Sequence, residues 1–148
     1  MKDRPVEWSR GAWIISTHRD RLDLDMVLAL LRETHWSDTL TAEALRRAVA
    51  NSVCFGVYEG PATIGFARVV TDLATYGYLT DVVVASERRG RGIGSWLTDC
   101  VLAHPDLQGF RRLALLTRDA EALYARAGFV VGAGTLLYME RKPPEDAD

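Results

Sequence analysis

A chain of 148 residues leaves no room for two ordinary domains, so one compact domain over residues 1–148 is expected. Hydrophobic residues make up 48% and charged residues 26%, a globular composition that excludes a disordered or low-complexity chain. Eighteen basic against twenty acidic side chains leave a net charge of −2, with no basic excess to favour nucleic acid. Cys54 and Cys100 sit in apolar segments and read as small buried hydrophobes of a reducing compartment. No Cys/His spacing resembles a zinc site. The first seven residues lack the apolar core of a signal peptide, and no run approaches the ~18 apolar residues of a membrane helix. The expected setting is cytoplasmic, with no membrane, metal or nucleic-acid partner.

The elements follow in chain order. Ala12–Ser16 is a short apolar run that reads as a first strand. Asp23 is placed to cap a helix carrying Leu24, Val27, Leu28 and Leu31 at helical spacing. After the polar break 34–38, Leu40, Ala44, Leu45 and Ala48 predict a second amphipathic helix ending near Asn51-Ser52. The period then becomes two. Residues 53–58 and 62–71 read as a hairpin around Glu59-Gly60-Pro61. A third run, 76–84, ends in Val82-Val83-Val84, the pattern of a strand buried on both faces.

Arg88-Arg89-Gly90-Arg91-Gly92-Ile93-Gly94 opens the clearest helix, with Ile93, Trp96, Leu97, Cys100 and Val101 on one face and His104-Pro105 as its stop. Leu113–Thr117 predicts a strand. Asp119–Ala127 predicts a helix with Ala120, Leu123, Tyr124 and Ala127 inward and Gly128 as its cap. Phe129–Val131 and Leu136–Met139 are expected to close the sheet, and residues 142–148 form a polar tail. The order is that of a mixed α/β domain of about seven strands and four helices, its early strands antiparallel and its later crossovers parallel.

The glycine-rich turn carries the chemistry. Glycines between a buried strand and a helix let a ligand approach bare N–H groups at the positive end of the helix dipole, where phosphates commonly bind. Arg88, Arg89 and Arg91 add charge there. A plain tight turn with solvated arginines has the same composition. The dinucleotide fingerprint fails because position 95, three beyond Gly92, is Ser, and the P-loop fails because Gly94-Ser95-Trp96 replaces Gly-Lys-Ser/Thr.

Arg89-Gly90-Arg91-Gly92-Ile93-Gly94 does fit the pattern [RQ]-x-x-G-x-[GA]. With Val82-Val83-Val84 before it and an amphipathic helix after it, it resembles the acetyl-CoA motif of GCN5-related N-acetyltransferases. Tyr124-Ala125-Arg126-Ala127-Gly128-Phe129 resembles the ending of that family's second cofactor motif, and the likeness covers essentially the whole chain.

The resemblance implies a cofactor lying where the fourth and fifth strands splay apart. Val82 and Val84 would pair their backbone with pantetheine, and Val83 or Val84 N–H would serve the carbonyl oxygen. Arg89, Gly90, Arg91, Gly92, Ile93, Gly94 and Ser95 would hold the pyrophosphate through their N–H groups. Tyr124 would be the general acid, a phenol of pKa ~10 that stays protonated at neutral pH, or else a packed helix tyrosine. Asp81, just before the valines, is a candidate base acting through water, or else a structural carboxylate. Thr117 stands near where many relatives carry Asn, so its cofactor contact keeps a hydroxyl and loses an amide group.

For the acceptor, the resemblance points to Glu33, His35, Trp36 and Asp38 between the first two helices, with Tyr76, Tyr78 and Tyr138 as possible wall residues or ordinary packing. The implied activity is direct transfer of acetyl from acetyl-CoA to a primary amine of a small molecule or peptide. A transferase for another acyl-CoA and a non-catalytic CoA-binding module remain alternatives. Dimers occur among the look-alikes, and the sequence leaves the oligomeric state open.

Overall fold

The structure is a computed structural model that describes residues 4–34, 39–132 and 136–144. Six strands form one sheet in chain order: β1 (Glu7–Arg10), β2 (Trp13–Ser16), β3 (Val53–Glu59), β4 (Ala62–Thr71), β5 (Tyr76–Val84) and β6 (Arg112–Leu115). Neighbours from β1 to β5 pair antiparallel, and β5 pairs parallel with β6. Four helices complete the described elements: α1 (Leu24–Arg32), α2 (Ala42–Ala50), α3 (Ile93–Ala103) and α4 (Glu121–Arg126).

The two early helices begin where side chains cap them. Asp23 Oδ1 accepts the Met26 N–H at 3.2 Å, and Thr41 Oγ1 accepts the Ala44 N–H at 3.1 Å. Behind those caps α1 buries Val27, Leu28, Leu30 and Leu31, and α2 buries Leu45 and Val49. α2 and α3 lie on opposite faces of the sheet, which β3 makes visible. Phe55 points to the C-terminal end of α3, where its ring meets that of His104 at 5.7 Å. Its neighbour Cys54 points the other way, with Sγ 3.7 Å from the Val49 carbonyl at the end of α2. His104 is buried, and Nδ1 accepts the Asp106 N–H at 3.1 Å. Burial pulls its imidazole below the ordinary value, so a neutral ring suits this apolar site.

Three strand expectations change. The first strand is a hairpin, β1 and β2 around Gly11-Ala12. Glu7–Arg10 carries only one large apolar residue, Trp8, so alternation did not reveal β1. The fifth predicted strand stops at Leu115, because Thr117 Oγ1 turns to accept the Ala120 N–H at 3.0 Å, ahead of α4. Phe129–Val131 and Leu136–Met139 form no strand, and Val130, Val131 and Leu136 to Met139 are exposed. Runs of three or four apolar residues have β propensity, but a strand also needs a ladder partner, and none pairs with them among the described residues. Among the described residues no helix is long and apolar enough to cross a membrane.

Candidate cofactor and transfer site

The site forms where β5 outruns its neighbour. Pairing with β6 runs from Tyr76↔Arg112 to Leu79↔Leu115 and ends there, whereas β5 continues to Val84. Along that stretch the other edge of β5 stays bound to β4, with Val83 opposite Phe66 and Val84 opposite Gly65. The edge of Thr80–Val84 that faces away from β4 is therefore free of β6, leaving backbone donors and acceptors open along it except the Val84 carbonyl, which Arg89 takes. Val83 is buried as expected, but Val82 and Val84 are only half-buried, because β6 no longer flanks them.

The glycine-rich turn lies directly beyond this edge. Gly92 is the cap residue of α3, at φ +82° in the left-handed region, and it has no side chain to cap the helix. The first helical bond is Trp96 N–H to the Gly92 carbonyl at 3.0 Å, so the N–H groups of Ile93, Gly94 and Ser95 point out of the helix unpaired within it. A Cβ on Gly90 or Gly92 would meet nothing within 4 Å, so the space before these groups is open. Gly94 has a packing reason as well. A Cβ there would lie 3.3 Å from Leu123 Cδ1, which brings α4 and its Tyr124 against the start of α3.

The arginines divide their work. Arg88 does not face the turn as free charge: its guanidinium grips Glu59 Oε2 from Nε at 2.8 Å and from Nη2 at 2.5 Å. Arg89 Nε donates to the Val84 carbonyl at 3.1 Å, bracing the end of β5. Arg91 is exposed and makes no ion pair among the described residues.

Tyr124 is buried on α4 and packs edge-on against Phe129 at 5.9 Å. Burial alone raises its phenol above the ordinary value, so it holds its proton throughout the neutral range. It lines an apolar groove of about 750 Å³ beside β6, together with Leu115, Thr117 and Phe129. Asp81 is bound rather than open: Oδ2 accepts Arg68 Nε at 2.6 Å, with both side chains largely buried. Tyr78 is half-buried on β5, and the Tyr76 and Tyr78 phenols lie near enough to Tyr138 to reinforce the rise that its hydrogen bond to Glu140 produces. His35, Trp36 and Asp38 lie outside the described residues, and Glu33 is exposed at the end of α1.

Sequence reasoning passed over two residues of this region, Glu59 and Arg68. The available signal was Arg68 itself, a lone charge inside the apolar run Ile64–Val70. Of the two cysteines, Cys54 on β3 lies directly opposite Arg68 and Cys100 lies on α3. Both are buried, and burial pushes each thiol up to about 12. The native protein is therefore expected to give no thiol titre with an aromatic disulfide reagent at pH 8, and two thiols per chain after denaturation.

Comparison with known proteins shows the family. The family model described as "Acetyltransferase (GNAT) domain" matches residues 50–131, more than half of the chain. The chain belongs to the GNAT acetyltransferase family. A Gibberella zeae protein assigned to the acetyltransferases by name alone is 34% identical over 146 residues, covering 83% of this GNAT chain and 81% of that protein. The crystal structure of a GNAT-family protein from Xanthomonas campestris pv. campestris superposes with a TM-score of 0.83 at 42% identity, covering 89% of this chain and 94% of that one. N-alpha-acetyltransferase 80 of Mus musculus is 39% identical over 74 residues, 49% of this chain and 24% of its own length. GNAT enzymes take acetyl from acetyl-CoA and act on amine acceptors.

Proposed function

We propose that this GNAT chain transfers acetyl from acetyl-CoA to a primary amine of a small molecule or peptide, directly and in a ternary complex. The observation that carries the reading is the uncapped N-terminus of α3 behind Gly92, set at the end of the unpaired β5 edge. Three outward N–H groups and open space at Gly90 and Gly92 suit a pyrophosphate, and a free strand edge suits the amides of pantetheine.

When bound, acetyl-CoA supplies an activated thioester. Arg89 to Ser95 would hold its phosphates through their N–H groups, and the backbones of Val82 and Val84 would align its pantetheine arm. The Val83 or Val84 N–H would donate to the carbonyl oxygen as negative charge develops on it. The amine nitrogen forms the new bond to the carbonyl carbon as the carbon–sulfur bond breaks. Tyr124 would give its proton to the departing sulfur, and the amine's proton would pass to water. Asp81 is the acid nearest the cofactor strand, but Arg68 holds its carboxylate, and the proton transfer is not assigned to it. Thr117 would reach the cofactor through its hydroxyl proton, since its oxygen already serves Ala120. His35, Trp36 and Tyr78 would face the acceptor.

The reading is tested by melting the protein with acetyl-CoA. At about 100 Kd the ligand contributes ~2.7 kcal/mol, a rise of roughly 8 °C. Gly92→Val, which forces a β-branched residue into the left-handed region, should abolish most of that rise. No rise in the native protein would remove the proposal.

A further inference from the structure

We propose that Arg68 and Asp81 form a positioning clamp that holds the β5 edge open, with neither acting as a proton carrier; this rests on the acetyl-CoA reading above for its consequence, though not for its geometry. The pair sits at an irregularity in the sheet. Phe66 lies opposite Val83 and Arg68 opposite Thr80, so two steps along β4 face three along β5. The surplus falls at Thr80–Val82, and within it Asp81 has φ +55°, the left-handed region that an aspartate rarely adopts in a strand. Bulges bend a strand and increase its twist. Here the β5–β6 ladder ends at Leu79, immediately before the bulge, and the free edge begins after it.

Something must hold a non-glycine residue in that conformation, and Arg68 does so from across the bulge. Its Nε meets Asp81 Oδ2 at 2.6 Å, while its Nη1 donates to Ser52 Oγ at 3.1 Å. Ser52 Oγ in turn donates to the Ala48 carbonyl at 2.7 Å, and Arg19 binds the Ala50 and Ser52 carbonyls at 2.7 and 2.8 Å. The bulge is thereby tied through one guanidinium to the anchored end of α2. A well-packed apolar pair would serve stability as well as a buried ion pair does. What this pair adds is direction: a short, oriented contact at the one residue where β5 departs from regular pleating. Asp81 spends one carboxylate oxygen on that contact and acts on the site through the backbone of Val82–Val84.

The test uses the full chain and two readouts. Arg68→Met and Asp81→Asn should each raise amide hydrogen exchange at Thr80–Val84 at least tenfold in the ligand-free protein, with exchange in β3 and α3 unchanged. Each should weaken acetyl-CoA about tenfold, while kcat at saturation changes less than threefold and its pH profile keeps its shape. The double variant should be no worse than the worse single one, and Arg68→Lys should restore part of the affinity. Unchanged exchange at Thr80–Val84 overturns the clamp, whatever the ligand does. Loss of kcat in Asp81→Asn with unchanged acetyl-CoA affinity also overturns it and makes Asp81 the base. If the single variants do not fold, Arg68→Lys decides by the same exchange measurement, since a clamp loosens when a point charge replaces the guanidinium fork. If the native protein fails to bind acetyl-CoA, the functional reading falls and the exchange result alone judges the clamp.

Discussion

Tyr124→Phe is expected to lower kcat about 10²–10³-fold while leaving the acetyl-CoA Kd within about threefold of its native value. The change removes one oxygen and keeps the ring, so the contact with Phe129 survives. The Tyr124 hydroxyl makes no hydrogen bond among the described residues, so no partner is orphaned and the melting temperature should hold within about 2 °C. A thioester's sulfur leaves far more easily with a proton, and Tyr124 is the buried phenol on the helix that packs against the start of α3. The pH profile supplies a second check. A general acid works only while protonated, and burial raises this phenol above the usual ~10. Its alkaline limb should therefore lie beyond that of an ordinary tyrosine, leaving native kcat flat through neutrality. Stopped-flow or coupled thiol release over a panel of amines measures both quantities. Undiminished kcat in the variant would take Tyr124 out of the proton transfer.

Phe66→Ala is expected to cost about 3–5 kcal/mol, a large part of the ~5–15 kcal/mol that holds such a domain together. Phe66 is fully buried on β4, directly opposite Val83. Its removal opens a cavity beneath the strand whose backbone is proposed to align the cofactor. Urea midpoints read the stability loss. Acetyl-CoA at about 100 Kd of the native protein should return less than the ~2.7 kcal/mol it contributes there, because the cavity lies under its own contact strand. A loss below about 1 kcal/mol would mean that the core closes over the gap.

The parts of the fold that were legible in the sequence were those where period and cap agreed. Asp23 with the Leu24–Leu31 stripe located α1, and the Ile93–Val101 stripe with His104-Pro105 bounded α3. The hairpin from β3 to β4 was visible because the period switched to two across a Gly-Pro turn. The turn at Gly90–Gly94 was legible twice, once from helix electrostatics and once from its likeness to a known motif. What escaped depended on pairing at a distance. β1 carries an exposed, mostly polar pattern that only its partner β2 makes into a strand. The bulge at Asp81 arises from a register mismatch between two strands, and neither strand's own pattern contains it. The same holds for Arg88, whose charge counted toward the turn until Glu59, 29 residues earlier, claimed it.

The order of the sheet also bears on how the molecule assembles. β3, β4 and β5 lie side by side in chain order and are joined by short connections, whereas β2 meets β3 only across residues 17–52. Such local ladders close small loops and form early. The β5–β6 pairing is different: it is parallel and must wait for the chain from Ala85 to Arg111, α3 included, to cross the sheet. Loop closure thus makes the β5–β6 pairing a late event, and β5 and β6 are the two strands between which the cleft opens. A nascent chain would complete its scaffold first and its cleft afterwards, with the α3 N-terminus delivered to the site by the same crossover that finishes the sheet.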